Sequence, residues 1–480
     1  MVVEPNRSCY LGPGRQLAAA NRPGLAARSL TVARLPDPAP RHSSPYRDSL
    51  LRLVGASSPG MRLGLDSTRA LLARLGDPHL SLRGALVAGT NGKGSVCAIA
   101  AEMAHRAGIR VALLTKPHLT SYRERIQLGG VPIAEPFFAE LADAVSDAAD
   151  AMVLDGGRPT HHELLTAMGF LAARRWSADL VVCEVGLGGR LDATNVWDGG
   201  VAVVTSVALD HQAQLGNTVP EIAAEKAAII KPGNLVVAGV SGAALPAVET
   251  ATKAAAARLW QLGREISVES EPAPGRSFNV RTPAVVREGL RLGLAGSFQV
   301  ENAALAVAVT DCLAELGFPI GEGAVRAGLS EVRWPGRMEI LGSTPEVLVD
   351  AAHNPAAVEA VLPEIQRRLK HRTGVLLFGA MEDHDHLGML QLLETIDFRA
   401  AVFTRSNSAR AAAGSALVES WPGPAEVVEP VSPALVRARV LAGPRGLVVS
   451  LGSIYVIGEV MSALAVGVPP DPEIPFPPLW

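Results

Sequence analysis

The sequence predicts an α/β protein built as two domains that meet at a cleft. Three observations carry this. Apolar runs of strand length alternate with Ala-rich segments of helical period through most of the 480 residues. The strand candidates are apolar along their whole length, as in a mainly parallel sheet covered on both faces. Early in that alternation a glycine cluster joins a strand to a helix, in the stretch VAGTNGKGSVCAIAAEMAHR.

The first domain's strand candidates are Leu86–Ala88, Arg110–Leu114, Leu180–Cys183, Val201–Thr205 and Leu235–Ala238, with helical patterns at Val96–Arg106 and Leu164–Arg175. One helix start is explicit. TVPE, Thr218 to Glu221, is a capping box with proline in the first turn, and KPG at 231–233 is expected to end that helix. After the glycine-containing stretch LGLAGSFQVEN a second α/β pattern begins. Its strands are expected at Val347–Val349, Gly374–Phe378, Ala400–Phe403 and Gly446–Ser450. The expected division is 44–295 for the first domain and 296–465 for the second. Residues 1–43, rich in Arg, Pro, Ala and Gly, are expected to be a disordered extension, and 466–480 a Pro-rich tail.

Composition excludes several classes. Basic and acidic residues nearly balance, 44 against 47, so no electrostatic footprint of a nucleic-acid binder is present. No apolar stretch reaches the length of a membrane span without a charge or a Gly/Pro break. The four cysteines, Cys9, Cys97, Cys183 and Cys312, are far apart and form no CxxC pair, which reads as reduced thiols in a cytoplasmic protein.

Gly89, Gly92 and Gly94 permit positive φ and close backbone approach to a ligand. With the helix N-terminus behind them they form an anion site, where Lys93 can reach the outer phosphates and Ser95 can hold Mg²⁺. The pattern departs from the plain P-loop motif, because Gly94 separates Lys93 from Ser95.

Ligands of open parallel sheets bind beyond the carboxyl ends of strands. DLVVCE ends in Glu184, VAVVTSVALDHQ brings Asp210 and His211, and RVALLT leads to Lys116 and His118. Glu184 and His211 suit a divalent metal beside phosphate oxygens. The alternatives are an ion pair of Glu184 with Arg190 and a structural, hydrogen-bonded His211. For Lys226, helical spacing by itself reads as a snorkelling lysine paired with Glu221 or Glu225.

Seven stretches together resemble the folylpolyglutamate synthase/dihydrofolate synthase family of the Mur ligase superfamily. They are GTNGKGS, KPHLTSYRERI, CEVGLGGRLDATN, SVALDHQAQLG, IAAEKAAIIKPG, WPGRMEI and LVDAAHNPAA, spread over about residues 45–460. The resemblance implies a P-loop, Mur-ligase-like first domain and a smaller Rossmann-like second domain that closes over ATP. It implies that Thr90, Asn91, Gly92, Lys93, Gly94 and Ser95 cradle the phosphates. Asn302, Arg337, Asp350 and His353 would hold the nucleotide. Ser95, Glu184 and His211 would hold one or two Mg²⁺, with a monovalent cation as a further candidate. Lys226 matches the family's carbamylated lysine, which displaces the snorkelling reading. Thr160, His161, His162 and Glu163, with Arg190, Leu191, Asp192 and Ala193, match the pterin-side pocket. Lys93, Lys226 and His211 are the expected catalytic groups.

Lys116 departs from the family pattern, which has serine, a metal ligand, at its position. An ammonium cannot ligate Mg²⁺. The expectation drawn from this is that Lys116 partly replaces a second metal as positive charge near the γ-phosphate. The implied activity is ATP-dependent ligation of L-glutamate to dihydropteroate, to reduced folates or to both, through an acyl phosphate, by a cytoplasmic monomer. The alternatives are a folylpolyglutamate synthase alone and a nucleotide-binding regulatory homologue without ligase chemistry.

Overall fold

The structure, a computed structural model, describes residues 44–58, 64–153, 157–270 and 277–472. The expected extension at 1–43, with Cys9, lies outside the described residues, as does the end of the tail from 473.

The first sheet has eight strands: β1 Gly84–Ala88, β2 Val111–Leu114, β3 Ile126–Leu128, β4 Val131–Pro132, β5 Leu180–Glu184, β6 Gly200–Val204, β7 Leu235–Ala238 and β8 Arg258–Gln261. Their order is β4-β3-β2-β5-β1-β6-β7-β8. All pairs from β2 to β8 are parallel; the β2–β3 and β3–β4 pairs are antiparallel. The continuous apolar runs have their expected cause, because each strand alternates between two buried faces. Leu86 and Ala88 enter one core, with the helices Glu135–Val153 and His161–Arg175. Ala85 and Val87 enter the other, with the helix Lys93–Arg106.

A three-stranded antiparallel sheet follows, β9 Ser267–Ser270, β10 Phe278–Arg281 and β11 Val286–Leu290. The second main sheet comprises β12 Glu339–Leu341, β13 Glu346–Val349, β14 Gly374–Phe378, β15 Ala400–Phe403, β16 Ala425–Val427 and β17 Leu447–Leu451, ordered β12-β13-β17-β14-β15-β16. It is parallel except for β12 against β13. The small sheet and the edge strands were not among the strands expected from sequence. Their mixed, half-exposed side chains carry little apolar signal.

Around residue 295 the packing is shared: Leu292, Leu294 and Val300 lie against the core of the first sheet, and Ala295 and Phe298 against that of the second. The helices Phe298–Glu315 and Glu322–Glu331 bury Ala303, Val307, Val325 and Leu329 in the core of the first sheet. The glycine-containing stretch is tied there too, with Gly293 N donating to Leu329 O at 2.8 Å. We therefore propose the domain boundary just after Val332. On that proposal the glycines that suggested 295 mark a turn inside the first domain. The capping box at Thr218 is present, but its helix, Val219–Ala227, stops before KPG. Among the described residues, no helix is long and apolar enough to cross a membrane, and Cys97, Cys183 and Cys312 are free and buried.

The start of the tail is docked rather than loose. Asp471 accepts hydrogen bonds from Tyr46 Oη (2.6 Å), Ser121 Oγ (2.7 Å) and Tyr122 N (2.7 Å). Thr120 Oγ1 donates to Val468 O at 2.7 Å. This carboxylate thus joins the first helix, Pro45–Gly55, to the segment that follows Lys116. Asp471→Ala leaves three donors without their acceptor. It is expected to destabilise the fold by about 2–4 kcal/mol, from roughly 1 kcal/mol or more per lost bond. Chemical denaturation of the two proteins measures the difference.

Candidate active site

The glycine loop leaves β1 at Ala88 and is held by the end of β6. Thr90 N donates to Ser206 O (2.7 Å), Asn91 N to Ser206 Oγ (2.9 Å), and Thr205 Oγ1 to Asn91 O (2.6 Å). Gly92 has φ 84° and caps the helix Lys93–Arg106. A β-carbon there would stand 2.4 Å from Asn302 Oδ1, so the loop needs glycine on both counts. Gly94 faces Trp334, whose Nε1 would lie 3.0 Å from an added β-carbon. Ser95 is buried in the first helical turn.

Two lysines converge on the loop. Lys93 Nζ donates to Gly89 O (2.8 Å) and Thr90 O (3.0 Å), and Lys226 Nζ donates to the same Gly89 O at 3.1 Å. Lys226 is buried and pairs with neither nearby glutamate. Glu221 caps its own helix, and Glu225 pairs with Arg190. Burial, with the Lys93 charge as a second cause, lowers the Lys226 amine to about 7. The snorkelling geometry read from helical spacing is therefore absent.

Glu184 closes β5 in full burial, and its Oε2 accepts from Lys116 N at 3.0 Å. Burial raises its pKa, opposed by Lys93, by the Lys116 backbone N–H and by Arg337. Arg190, the partner in the ion-pair alternative, is engaged with Glu225 at 2.9 Å. His211 has φ 49° and lies beside Asp210, with Nε2 at 3.9 Å from Oδ1. Burial lowers its pKa.

The second sheet reaches this edge through the segment after β13. Asn354 and Asn91 exchange two hydrogen bonds, each 3.2 Å, and Asn354 Nδ2 also donates to Asp210 Oδ2 at 3.0 Å. His353 Nε2 stands 4.0 Å from the same Asp210 oxygen. His384, from the loop after β14, has its ring 5.2 Å from that of His353 and 6.2 Å from that of His211. Asp350 is buried, and its oxygens accept from Met338 N and Ala352 N, both at 2.8 Å. Its visible work is to shape the turn that carries Arg337 and His353. Sequence reasoning did not single out Asn354, His384, Trp334 or the Thr205–Ser206 pair. The strand-end position of Thr205–Ser206 and the histidines of MEDHDH were the available signals.

Beyond Lys116 lies a cluster of largely buried polar side chains at the start of the helix His161–Arg175. Thr160 and Glu163 form its capping box, and Glu163 also accepts from Thr68 Oγ1 at 3.1 Å. Both are engaged in helix structure. His161 Nε2 meets Tyr122 Oη at 3.1 Å, and burial, then Arg125, lowers its pKa to about 3. His162 Nε2 meets Asp192 Oδ2 at 2.9 Å. That oxygen also accepts from Gly186 N and Leu187 N at 3.0 Å, and Oδ1 from Thr194 N (3.0 Å) and Thr194 Oγ1 (2.6 Å). Burial alone would raise this carboxyl, but His162, Lys116 and Thr194 hold it well below the usual carboxylate range. Asp192 thus organises the 186–194 loop and orients His162. Ala193 is buried behind it, Leu191 is half-buried, and Arg190 is turned outward to Glu225.

Residues 87–310 match the Mur ligase middle domain, and 336–454 match the Mur ligase glutamate ligase domain. The dihydrofolate synthase/folylpolyglutamate synthase of Bacillus subtilis is 33% identical over 432 residues, covering 87% of this chain and 99% of that protein. The chain belongs to the dihydrofolate synthase/folylpolyglutamate synthase family. Solved structures of family members agree with its fold. Escherichia coli FolC in complex with DHPP and ADP has a TM-score of 0.79 at 29% identity, covering 89% of this chain and 99% of that one. The bifunctional folylpolyglutamate synthase/dihydrofolate synthase of Yersinia pestis, complexed with AMPPNP and Mn ion, has a TM-score of 0.78 at 27% identity, covering 89% and 100%.

The five bonds on Asp192 make a local prediction. Asp192→Asn keeps the shape but turns one acceptor atom into a donor, facing two backbone N–H groups or the Thr194 pair. A loss of about 1–3 kcal/mol is expected, with faster amide hydrogen exchange concentrated at 186–194.

Proposed function

We propose that this protein ligates L-glutamate to a pterin-linked carboxylate at the expense of ATP, using dihydropteroate and reduced folates as acceptors. The observation that carries the reading is the arrangement around Glu184. Lys93, one of two lysines on a single P-loop carbonyl, acts on its charge, and Lys116, bonded to it through the backbone, acts in turn on the His162–Asp192 pair. The family's named activities and the ADP, AMPPNP and DHPP complexes of its relatives support the same reading.

A carboxylate is a poor acylating agent. Transfer of the γ-phosphoryl group of ATP to it gives an acyl phosphate. The amine of glutamate attacks the acyl carbon, and phosphate leaves. The enzyme's part is positioning and charge stabilisation. Lys93, on the loop that would hold the phosphates, neutralises charge on the transferring group. Gly89–Ser95 supply backbone N–H groups and the helix N-terminus. Asn302, Arg337 and His353 would hold the nucleotide, as the family resemblance implies. Asp350 contributes by shaping that turn. His162, oriented by Asp192, faces the acceptor, with Thr160, His161 and Glu163 fixing its helix.

Ser95, Glu184 and His211 are the residues that would hold Mg²⁺. Ser95 and Glu184 offer hard oxygens at the P-loop, and His211 adds an imidazole beside Asp210. The ion would neutralise phosphate charge. No observation supports the further monovalent cation. We read the enzyme as a cytoplasmic monomer, from the family resemblance.

Lys226 has the chemistry that carbamylation needs. Carbon dioxide reacts with a neutral amine, and an amine with a pKa of about 7 is largely neutral at pH 8. With ¹³C-bicarbonate, a carbamate resonance is expected that grows as the pH rises through about 7 and is absent from Lys226→Ala. A wild-type protein without that resonance would remove this role.

Phosphate release with Mg-ATP and L-glutamate tests the whole reading. Release is expected with either 7,8-dihydropteroate or tetrahydrofolate, together with glutamylated products by mass spectrometry. Lys93→Ala is expected to lower turnover by a factor of roughly 10³ or more while the fold remains intact, the scale of losing a charge-stabilising group. Release with tetrahydrofolate alone would make it a folylpolyglutamate synthase. No release with either acceptor overturns the reading.

A further inference from the structure

Lys116 does not point towards His211. Its backbone N–H is on Glu184, and its side chain runs to the helix His161–Arg175, where Nζ donates to Thr166 Oγ1 at 3.2 Å. Thr166 is buried and lies one helical turn beyond His162 on the same face. The ammonium acts on His162 and Asp192 on one side and on Glu184 on the other.

An ammonium has three donors. Here one meets a neutral hydroxyl, and among the described residues Nζ forms no ion pair. A half-buried cation with donors to spare, surrounded by polar side chains, suits an anionic ligand. The nearby carboxylates are already engaged: Asp192 by five bonds, and Glu184 by the Lys116 backbone. Phosphate has its own cradle at Gly89–Ser95. The anion left without a partner is the acceptor's carboxylate, which must lie between that cradle and His162.

We infer that Lys116 Nζ, positioned by Thr166, binds the acceptor carboxylate that is to receive the phosphoryl group. This rests on the ligase reading above. It places the charge of Lys116 on the acyl substrate, in contrast to the γ-phosphate role expected from sequence. It also makes Lys116 a determinant of specificity for an acid over its neutral amide.

The test is a binding titration of the full chain without nucleotide. The ligands are 7,8-dihydropteroate and its primary carboxamide, and the proteins are wild type, Lys116→Met and Lys116→Arg. A charge-assisted hydrogen bond predicts that wild type binds the acid roughly tenfold or more tightly than the amide. Lys116→Met is expected to lose that preference by weakening the acid alone, and Lys116→Arg to keep part of it. An unchanged melting temperature and ADP affinity show that the variant is folded; Lys116→Gln replaces it should the methionine impair folding. A variant that keeps the wild-type acid-to-amide ratio overturns the inference. So does one that keeps this ratio but selectively loses AMPPNP against ADP, which would return Lys116 to the γ-phosphate. Binding of neither pterin by wild type overturns the ligase reading itself, and this inference with it.

Discussion

Two lysine amines share one carbonyl. Lys93 and Lys226 both donate to Gly89 O, from helices on different parts of the first sheet. Like charges this close repel, and burial adds to the cost for Lys226. Burial, with the Lys93 charge as a second cause, favours the neutral Lys226 amine. Much of the site follows from that constraint. The glycine loop must present its carbonyl inward, β6 must hold the loop through Thr205 and Ser206, and Lys226 must reach in through a packed core. Lys93 and the helix N-terminus behind the loop prepare this strand end for anions.

The second sheet is joined to this point by a small polar contact. Asn354 bridges Asn91 and Asp210, and His353 and His384 gather beside it. Side-chain amides can exchange such bonds for others at little net loss. The contact fixes where the second sheet meets the P-loop, and Leu119, packed against the second sheet's core, adds an apolar one. On the opposite flank, Asp471 ties the tail to Ser121 and Tyr122, and Tyr122 in turn touches His161. Asp471 thus buttresses the helix that carries His161 and His162.

The strands and the glycine loop were legible because their signals are local: apolar runs, turn residues and a cap. The boundary proposed after Val332 was not. Glycines mark a turn wherever it falls, while a boundary depends on which core the next helices enter. Several side chains matched to a ligand prove to have structural partners. Glu163 caps a helix, Asp350 turns a loop, and Asp192 holds five donors. Residue type at a motif position tells that a carboxylate is needed, yet its partners come from elements far away in sequence. Thr68 on Glu163 and His162 on Asp192 are examples.

The sequence by itself determined the fold class, the phosphate-binding loop and the family, because each depends on short-range pattern or on motifs in order. Tertiary structure alone decided the direction of the long side chains. Lys226 could have snorkelled to a glutamate, and Lys116 could have reached the P-loop side. Helix packing buried the first against Gly89 and brought Thr166 to the second. The physical reason is that a lysine has four rotatable bonds and a charge, so its final contact is set by whichever polar partners the packed core leaves within reach.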